Sequence, residues 1–99
     1  MTNPIENLDK VYDSRIRLGI MSVLMVNEWV DFNSFKELLG ITDGNLASHL
    51  KALEKRRLIS INKQFIGRKP KTSYKATDEG KVSFQNHLDA LERIIKEQK

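Results

Sequence analysis

The 99-residue sequence has no cysteine, only two prolines and five glycines, and no long apolar run. Without cysteine it cannot form disulfides, thiolate metal sites or thiol redox centres, which is typical of a protein from a reducing compartment. The longest apolar stretch, residues 18–26, is interrupted by Gly19 and Ser22 and has about half the length that spans a bilayer. The first residues show neither the basic nor the apolar segment of a signal peptide. We therefore predict a cytoplasmic protein with no membrane partner.

The sequence also lacks the residue constellations that indicate an enzyme. It has no glycine-rich phosphate loop, no paired carboxylates on one helical face and no Ser/His or Cys/His arrangement. His49 has no Cys, Asp or second His near it in sequence, so we predict neither a metal site nor a cofactor. The absence of cysteine also excludes a site that senses a metal ion through thiolate ligands.

Positive charge is what the sequence has in excess. The chain carries 17 Lys and Arg against 13 Asp and Glu, a net charge of +4, and its pI is about 9.5. Such a balance favours a polyanionic partner without identifying it. With 39% hydrophobic and 30% charged residues, the composition is that of a folded chain, and the length suits a single domain over residues 1–99.

Apolar periodicity and capping residues predict a mainly α fold with a small β-hairpin and a long C-terminal helix. Ser34 and Glu37 match a capping box, Gly40 suits a left-handed helix end, and Thr42 and Thr77 are helix N-caps. The predicted order is a loose segment over residues 1–8, a helix Asp9–Glu28, a short strand at 29–32, helices Ser34–Leu39 and Asp43–Arg57, strands at 58–66 and 72–76 joined by a basic loop, and a last helix over 77–97.

The helix over residues 43–57 has two different faces. Leu46, Leu50 and Leu53 lie within one arc and are predicted to pack on the core. The opposite side has small or polar residues near the helix start and lysines further along: Gly44, Ser48, Lys51 and Lys55, with Asn45 and Ala52 on its flanks. This layout suits a helix whose N-terminal half approaches base edges in a major groove, although a solvated surface helix has the same pattern.

The segment Leu46–Ile59 (Leu-Ala-Ser-His-Leu-Lys-Ala-Leu-Glu-Lys-Arg-Arg-Leu-Ile) resembles the recognition helix of the MarR and ArsR groups of transcriptional regulators. Arg57 stands where those proteins have Gly, which predicts a different helix end. Residues 67–80 resemble their wing and the start of their final helix, with Ala76 in place of a common Leu. The resemblance covers about residues 10–97. It implies a winged helix-turn-helix (helix-turn-helix 34–57, wing hairpin 58–76, dimerisation helix 77–97) that binds pseudo-palindromic DNA as a homodimer.

The predicted DNA contacts fall into two groups. Those on the helix-turn-helix are Thr42, Gly44, Asn45, Ser48, His49, Lys51, Lys55 and Arg56, and those on the wing are Lys63, Arg68, Lys69 and Lys71. Asn45 can bond an adenine edge and Ser48 a base or a phosphate, whereas the wing cations suit phosphates or the minor groove. Thr42 is explained equally well as a helix cap, and His49 as a half-buried packing residue.

Apolar residues at four-three-four spacing form a seam along the last helix: Phe84, Leu88, Leu91 and Ile95. We expect the seam to be core, homodimer interface or both. The alternative function, a winged-helix protein-interaction module that does not bind DNA, predicts an apolar exposed face, which residues 44–55 and 67–71 do not show. The MarR resemblance leaves room for a small-molecule effector, but no residue identifies one.

Overall fold

The structure, a computed structural model, describes residues 3–97 and has the predicted mainly α architecture. Its elements are a 3-10 turn Lys10–Tyr12, α1 Arg15–Val26, β1 Val30–Asp31, α2 Phe32–Leu39, α3 Asp43–Lys55, β2 Ile59–Ile66, β3 Lys69–Ala76 and α4 Asp78–Glu97. The three strands form one antiparallel sheet in the order β1-β3-β2. The short strand expected near residue 30 is therefore confirmed as the edge partner of the hairpin.

The first helix is shorter than predicted because two short polar side chains interrupt it. Asp9 accepts a hydrogen bond from the backbone N–H of Val11 and caps the 3-10 turn. Ser14 then accepts one from the N–H of Arg17 and begins α1. Such side chains compete with the helical backbone pattern and favour helix ends. The prediction of one continuous helix over Asp9–Glu28 was wrong.

The N-terminal segment, predicted to be loose, is a series of turns over its described part. The N–H of Glu6 donates to the carbonyl of Asn3 at 3.3 Å, and that of Leu8 to the carbonyl of Ile5 at 3.1 Å. Met1 and Thr2 of the predicted segment lie outside the described residues.

The capping box predicted at Ser34 was also wrong. Asp31 caps α2 by accepting from the N–H of Ser34 at 2.9 Å, so the helix begins two residues earlier and Ser34 lies inside it. Asp31 pairs with Ser73 in the sheet, which fixes its backbone in the extended form that an N-cap requires. The other end agrees with the prediction, because Gly40 ends α2 with φ of 61°.

Arg57 ends α3 in the left-handed conformation that glycine usually adopts. The prediction that Arg57 in place of Gly would change the geometry of the helix end was therefore wrong. The φ of Arg57 is 60°, the left-handed region. The N–H of Arg57 donates to the carbonyl of Glu54 at 2.8 Å, and that of Leu58 to the carbonyl of Leu53 at 3.0 Å. These two bonds are those of a Schellman motif, with the buried Leu53 and Leu58 as its apolar pair.

The hairpin is longer than predicted, and its loop is only the two residues Gly67 and Arg68. Lys69, Pro70 and Lys71, which were predicted to lie in a basic loop, belong to β3, where Pro70 lies opposite Phe65. A proline is tolerated there because β1 pairs with β3 only at residues 73 and 74, which leaves the earlier part of β3 with an open edge.

The core unites all four helices with the base of the hairpin. It contains Val11, Tyr12, Ile20, Met21, Leu24, Phe35, Leu46, Leu50, Leu53, Leu58, Ile59, Tyr74, Ala76 and Phe84. Leu46, Leu50 and Leu53 are buried as predicted, and this fixes which face of α3 points outward. The start of α4 approaches Leu58 so closely that only a glycine fits at position 80.

Candidate nucleic-acid interface

The outer face of α3 is polar and exposed, and the buried leucines on the other side of the helix hold it against the core. Asn45, Ser48, Lys51 and Lys55 are exposed, on the side away from the buried leucines. The helix begins at Thr42, whose hydroxyl accepts from the N–H of Asn45 at 3.2 Å, so the predicted capping role of Thr42 is confirmed.

An ion pair ties the start of α3 to the preceding helix. Lys36 Nζ on α2 lies 2.7 Å from a carboxylate oxygen of Asp43. Because both side chains are largely exposed, the pair adds little to folding stability. Its consequence is that the carboxylate near the N-terminus of α3 is already neutralised, which lessens the repulsion of an approaching phosphate.

Gly44 is the residue at the start of α3 that the protein's own packing does not explain. A Cβ placed on it would meet no other atom within 4 Å, so the fold does not require glycine there. Because Gly44 has no side chain, the backbone of the first turn is not covered on its outer side. A helix N-terminus that lies open in this way can approach an anion closely with its backbone N–H groups.

His49 is turned toward α1 more than toward the outer face. Its Nδ1 lies 2.9 Å from Nη1 of Arg17, whose Nε in turn donates to the carbonyl of Val11. A guanidinium can only donate, so Nδ1 of His49 accepts and the ring is neutral in this arrangement. Burial, and after it the charge of Arg17, lowers the pKa of His49. No pattern in the sequence links His49 to Arg17, because the two residues are 32 positions apart and meet only in the folded protein.

Arg56, predicted as a DNA contact, is held by a carboxylate of its own chain. Its Nη2 and Nη1 donate to the two oxygens of Asp9 at 2.8 and 3.2 Å, a bidentate pair. This pair lowers the pKa of Asp9 and joins the end of α3 to the N-terminal turn. Arg56 remains half-exposed, so its positive charge still adds to the potential of this surface.

The wing hairpin carries many cations and no carboxylate of its own, and the nearby acid is Asp31 of β1, whose pKa the charge of Lys71 helps to lower after the hydrogen bonds from Ser34. No Asp or Glu occurs between Glu54 and Asp78 in the sequence. The exposed cations of the hairpin are Lys63, Arg68, Lys69 and Lys71. Lys71 lies opposite Gln64 and Lys69 opposite Ile66 in the register. The predicted wing cations are therefore gathered in the outer half of the hairpin, with Arg68 in the turn.

Two large apolar side chains also lie at the outer end of the wing. Phe65 is 76% exposed and Ile66 is 61% exposed. The sequence predicts a strand that runs to residue 66, as observed, but its alternation, which puts Phe65 on the apolar side with Ile59 and Ile61, does not indicate that Phe65 lies outside the core.

The predicted seam of α4 divides into a buried and an exposed part. Phe84 is 2% exposed and packs edge-on against Tyr12, with ring centroids 5.2 Å apart, so it belongs to the core of its own chain. Leu88, Leu91 and Ile95 are exposed. Of the predicted alternatives for the seam, Phe84 is core and not interface, while the other three residues remain accessible for a dimer interface.

Within residues 3–97, no helix is both long and apolar enough to cross a membrane. The described residues also contain no group of three or more His, Cys, Asp or Glu side chains arranged to hold a metal ion.

Comparison with known proteins is consistent with this geometry. An uncharacterised protein of Methanocaldococcus jannaschii is 37% identical over 87 residues, which cover 88% of this chain and 95% of that protein. A transcriptional regulator homologue of Pyrococcus horikoshii OT3 has a TM-score of 0.83 and 30% identity, covering 92% of this chain and 90% of that one. A protein of Porphyromonas gingivalis W83 assigned to the MarR family shares the fold, with a TM-score of 0.68, 20% identity and coverage of 91% and 86%.

The family model of the winged helix DNA-binding domain matches residues 16–95, which include α1, the helix-turn-helix, the wing and most of α4. The order of these elements, the exposed polar face of α3 and the cationic wing agree with that match. The chain therefore belongs to the winged helix DNA-binding domain family and has the architecture of a winged-helix transcriptional regulator.

Proposed function

We propose that this protein is a homodimeric transcriptional regulator that binds pseudo-palindromic operator DNA. In this proposal α3 enters the major groove and the wing contacts the backbone or the minor groove. The observation that carries the proposal is the combination of an open, polar start of α3 with a hairpin that has four exposed cations and no acidic residue. If α3 were only a solvated surface helix, the fold would not need a cationic hairpin as well.

The start of α3 supplies the contacts that read sequence. Asn45 and Ser48 are one turn apart on the exposed face and carry the donors and acceptors that base edges require. Thr42 and Gly44 bring the helix N-terminus to a phosphate, and Lys51 reaches the backbone further along the groove. His49 is assigned a supporting contact because Arg17 already holds its Nδ1.

The cations beyond this face hold the DNA without reading it. Arg68, Lys69 and Lys71 on the wing neutralise phosphates or enter the minor groove, while Lys55, Arg56 and Lys63 add positive potential between the wing and α3. Each phosphate contact should release counterions, so affinity should fall steeply with salt. Proteins of this kind act where the chromosome is, which is consistent with the predicted cytoplasmic location.

The exposed part of α4 supports dimerisation. Leu88, Leu91 and Ile95 follow one face at spacings of three and four residues, the pattern of a helix that packs on another helix. Two copies related by a twofold axis would present two α3 helices to successive major grooves, about 10 bp apart. The variant Leu91→Glu should be monomeric, whereas Val82→Glu, on the opposite side of α4, should leave the dimer intact.

Selection of bound sites from random DNA, combined with light scattering of the free protein, tests the proposal. We expect enriched inverted repeats with half-sites about 10 bp apart and a mass of two chains. Absence of any enriched sequence would overturn sequence-specific binding and favour the protein-interaction module. The fold is compatible with a small-molecule effector, and addition of candidate ligands to the selected complex would detect one.

A further inference from the structure

Both histidines of the chain accept a hydrogen bond from the same short stretch, residues 9–17, which we call the bridging segment. His49 on α3 accepts through Nδ1 from Nη1 of Arg17 at 2.9 Å. His87 on α4 accepts through Nδ1 from the backbone N–H of Asp9 at 3.3 Å. The bridging segment therefore lies between α3 and α4, with one histidine on each helix.

The bridging segment is packed against both helices. Tyr12 is 2% exposed, its ring centroid lies 4.8 Å from that of His87, and its hydroxyl lies 2.8 Å from Oγ of Ser83. On the other side, Nε of Arg17 donates to the carbonyl of Val11, so one guanidinium joins the 3-10 turn to α3. A shift of this segment would therefore change how α3 is held relative to α4.

The two histidine contacts require neutral rings. A guanidinium and a backbone amide can only donate, so each Nδ1 must offer a lone pair and the ring proton lies on Nε2. A second proton would turn Nδ1 into a donor that faces another donor, and the contact would be lost. Histidine is the side chain whose charge ordinarily changes between about pH 5 and 8. Both contacts are therefore sensitive to acidification in that range.

The charge that acts on His49 comes from α1. Burial, and after it the charge of Arg17, lowers the pKa of His49. The residues three and four positions away from His49 on α3 are uncharged, so the helix itself supplies no carboxylate that would stabilise an imidazolium. Protonation of His49 would place two cations against each other, which favours separation of α3 from the start of α1.

The charged groups next to His87 come from the bridging segment and from α3. The carboxylate of Asp9 lies closest, but both of its oxygens already accept from Arg56. Burial raises the pKa of Tyr12, so its hydroxyl stays uncharged. The residues three and four positions away from His87 on α4 are also uncharged. A proton on His87 would either displace the N–H of Asp9 or draw its carboxylate away from Arg56, and both changes loosen the hold on α3.

We propose that the bridging segment positions α3 for DNA while both histidines are neutral, and that a proton on either ring releases it. This inference rests on the proposed function and adds its regulation by pH. Acidification should then weaken DNA binding. Charge alone predicts the opposite, since a protein that gains positive charge is attracted more strongly to a polyanion. The sign of the pH dependence therefore separates positioning from simple electrostatics.

The test measures binding of the full-length protein to its selected site at pH 7.5 and 5.5 and at one salt concentration. We expect the parent to bind about tenfold more weakly at pH 5.5, the effect of losing roughly two hydrogen bonds of ordinary net strength. The double variant His49→Gln/His87→Gln has no ring to protonate, so its affinity should change by less than about twofold. Tyr12→Phe removes only the bond to Ser83, and as the matched control it should keep the full pH dependence.

Two further measurements do not depend on the double variant, in which a buried ring is replaced. His49→Gln alone, at a partly exposed position, should remove part of the decline in affinity. In 15N spectra of the free parent, both rings should be Nε2–H tautomers at pH 7.5. The protection factor of the Asp9 amide against hydrogen exchange should fall as His87 is protonated.

Four outcomes would contradict these expectations. Equal or tighter binding of the parent at pH 5.5 would overturn the inference, favour His49 as a direct phosphate contact and leave the proposed function standing. The same decline in the parent and the double variant would overturn it, because another group would then be responsible. A decline accompanied by loss of the helical circular dichroism signal would overturn it as well, since release requires a folded protein. Failure of the parent to bind any DNA at either pH would overturn the proposed function itself.

Discussion

The two ends of the wing hairpin are made of the same two strands but obey different constraints. At the base, the N–H of Thr77 donates to the carbonyl of Leu58 at 3.0 Å, and its hydroxyl donates to the carbonyl of Arg57 at 2.7 Å. At the tip, Phe65 and Ile66 lie largely in solvent. Substitutions at the base should therefore change folding stability, and substitutions at the tip should change binding.

The largest expected loss of folding stability follows a substitution at Gly80, next to the base of the hairpin. A Cβ there would lie 1.9 Å from the carbonyl oxygen of Leu58, a backbone atom that cannot turn away. Gly80→Ala should lower the free energy of unfolding by about 3 kcal/mol or more, measured by urea denaturation.

Gly44→Ala is the matched control for Gly80→Ala, since a Cβ at position 44 meets open space. Alanine is the better helix former, so its stability should stay equal or rise by up to about 1 kcal/mol. If α3 approaches DNA as proposed, the same variant should bind the selected site more weakly. A stable Gly80→Ala would show that the base of the hairpin can yield, and the contrast between the two ends would be lost.

The tip should show the reverse behaviour. Arg68→Ala removes one exposed cation from the turn, so the free energy of unfolding should change by no more than about 0.5 kcal/mol. The slope of log Kd against log salt should decrease by about 0.9, the contribution of one phosphate contact, with no change in sequence preference. Ser22→Ala, a variant of an exposed residue on α1 that is not among the proposed DNA contacts, should leave the slope unaltered. An unchanged slope for Arg68→Ala would remove Arg68 from the DNA contacts.

A smaller effect on folding stability is expected from substitutions at Arg57, where the backbone at the base of the hairpin is strained. Arg57 holds φ of 60°, a conformation that costs a non-glycine residue roughly 1 kcal/mol. Arg57→Gly should relieve it and raise the free energy of unfolding by about 0.5 kcal/mol, because the greater freedom of glycine in the unfolded chain offsets part of the gain. Arg57→Ala, which keeps the strain and removes the charge, separates the two contributions. A loss of stability in Arg57→Gly would mean that the Arg57 side chain makes a contact worth more than the strain.

How far the sequence predicts each region follows from how local its interactions are. The winged-helix order, the inner face of α3 and the caps at Thr42 and Gly40 were predictable because they depend on residues a few positions apart. The cap of α2 was not, since Asp31 is fixed by pairing with Ser73 on a distant strand. The same holds for the contact of His49 with Arg17 and for the extension of β3 to Lys69, which are tertiary facts.

The smallest expected effect concerns the pH dependence of the link between α1 and α3. The folded protein lowers the pKa of His49, because the ring is partly buried and Nδ1 accepts from Arg17. The unfolded chain therefore binds a proton at His49 more readily than the folded protein does. Well above pH 6.5 His49 is neutral in both states, so its protonation does not affect the free energy of unfolding. As the pH falls through the unfolded value and toward the folded one, stability should decline. His49→Gln, whose side-chain oxygen can still accept from Arg17, should remove this part of the decline in urea titrations at pH 7.5 and 5.5. The carboxylate of Asp9 acts in the same direction but in a separate pH range, because its pKa is lowered by Arg56 and its contribution is lost only below its usual value of 3.8. If His49→Gln declined as steeply as the parent between those two pH values, the neutral ring would not be what holds α3 against Arg17.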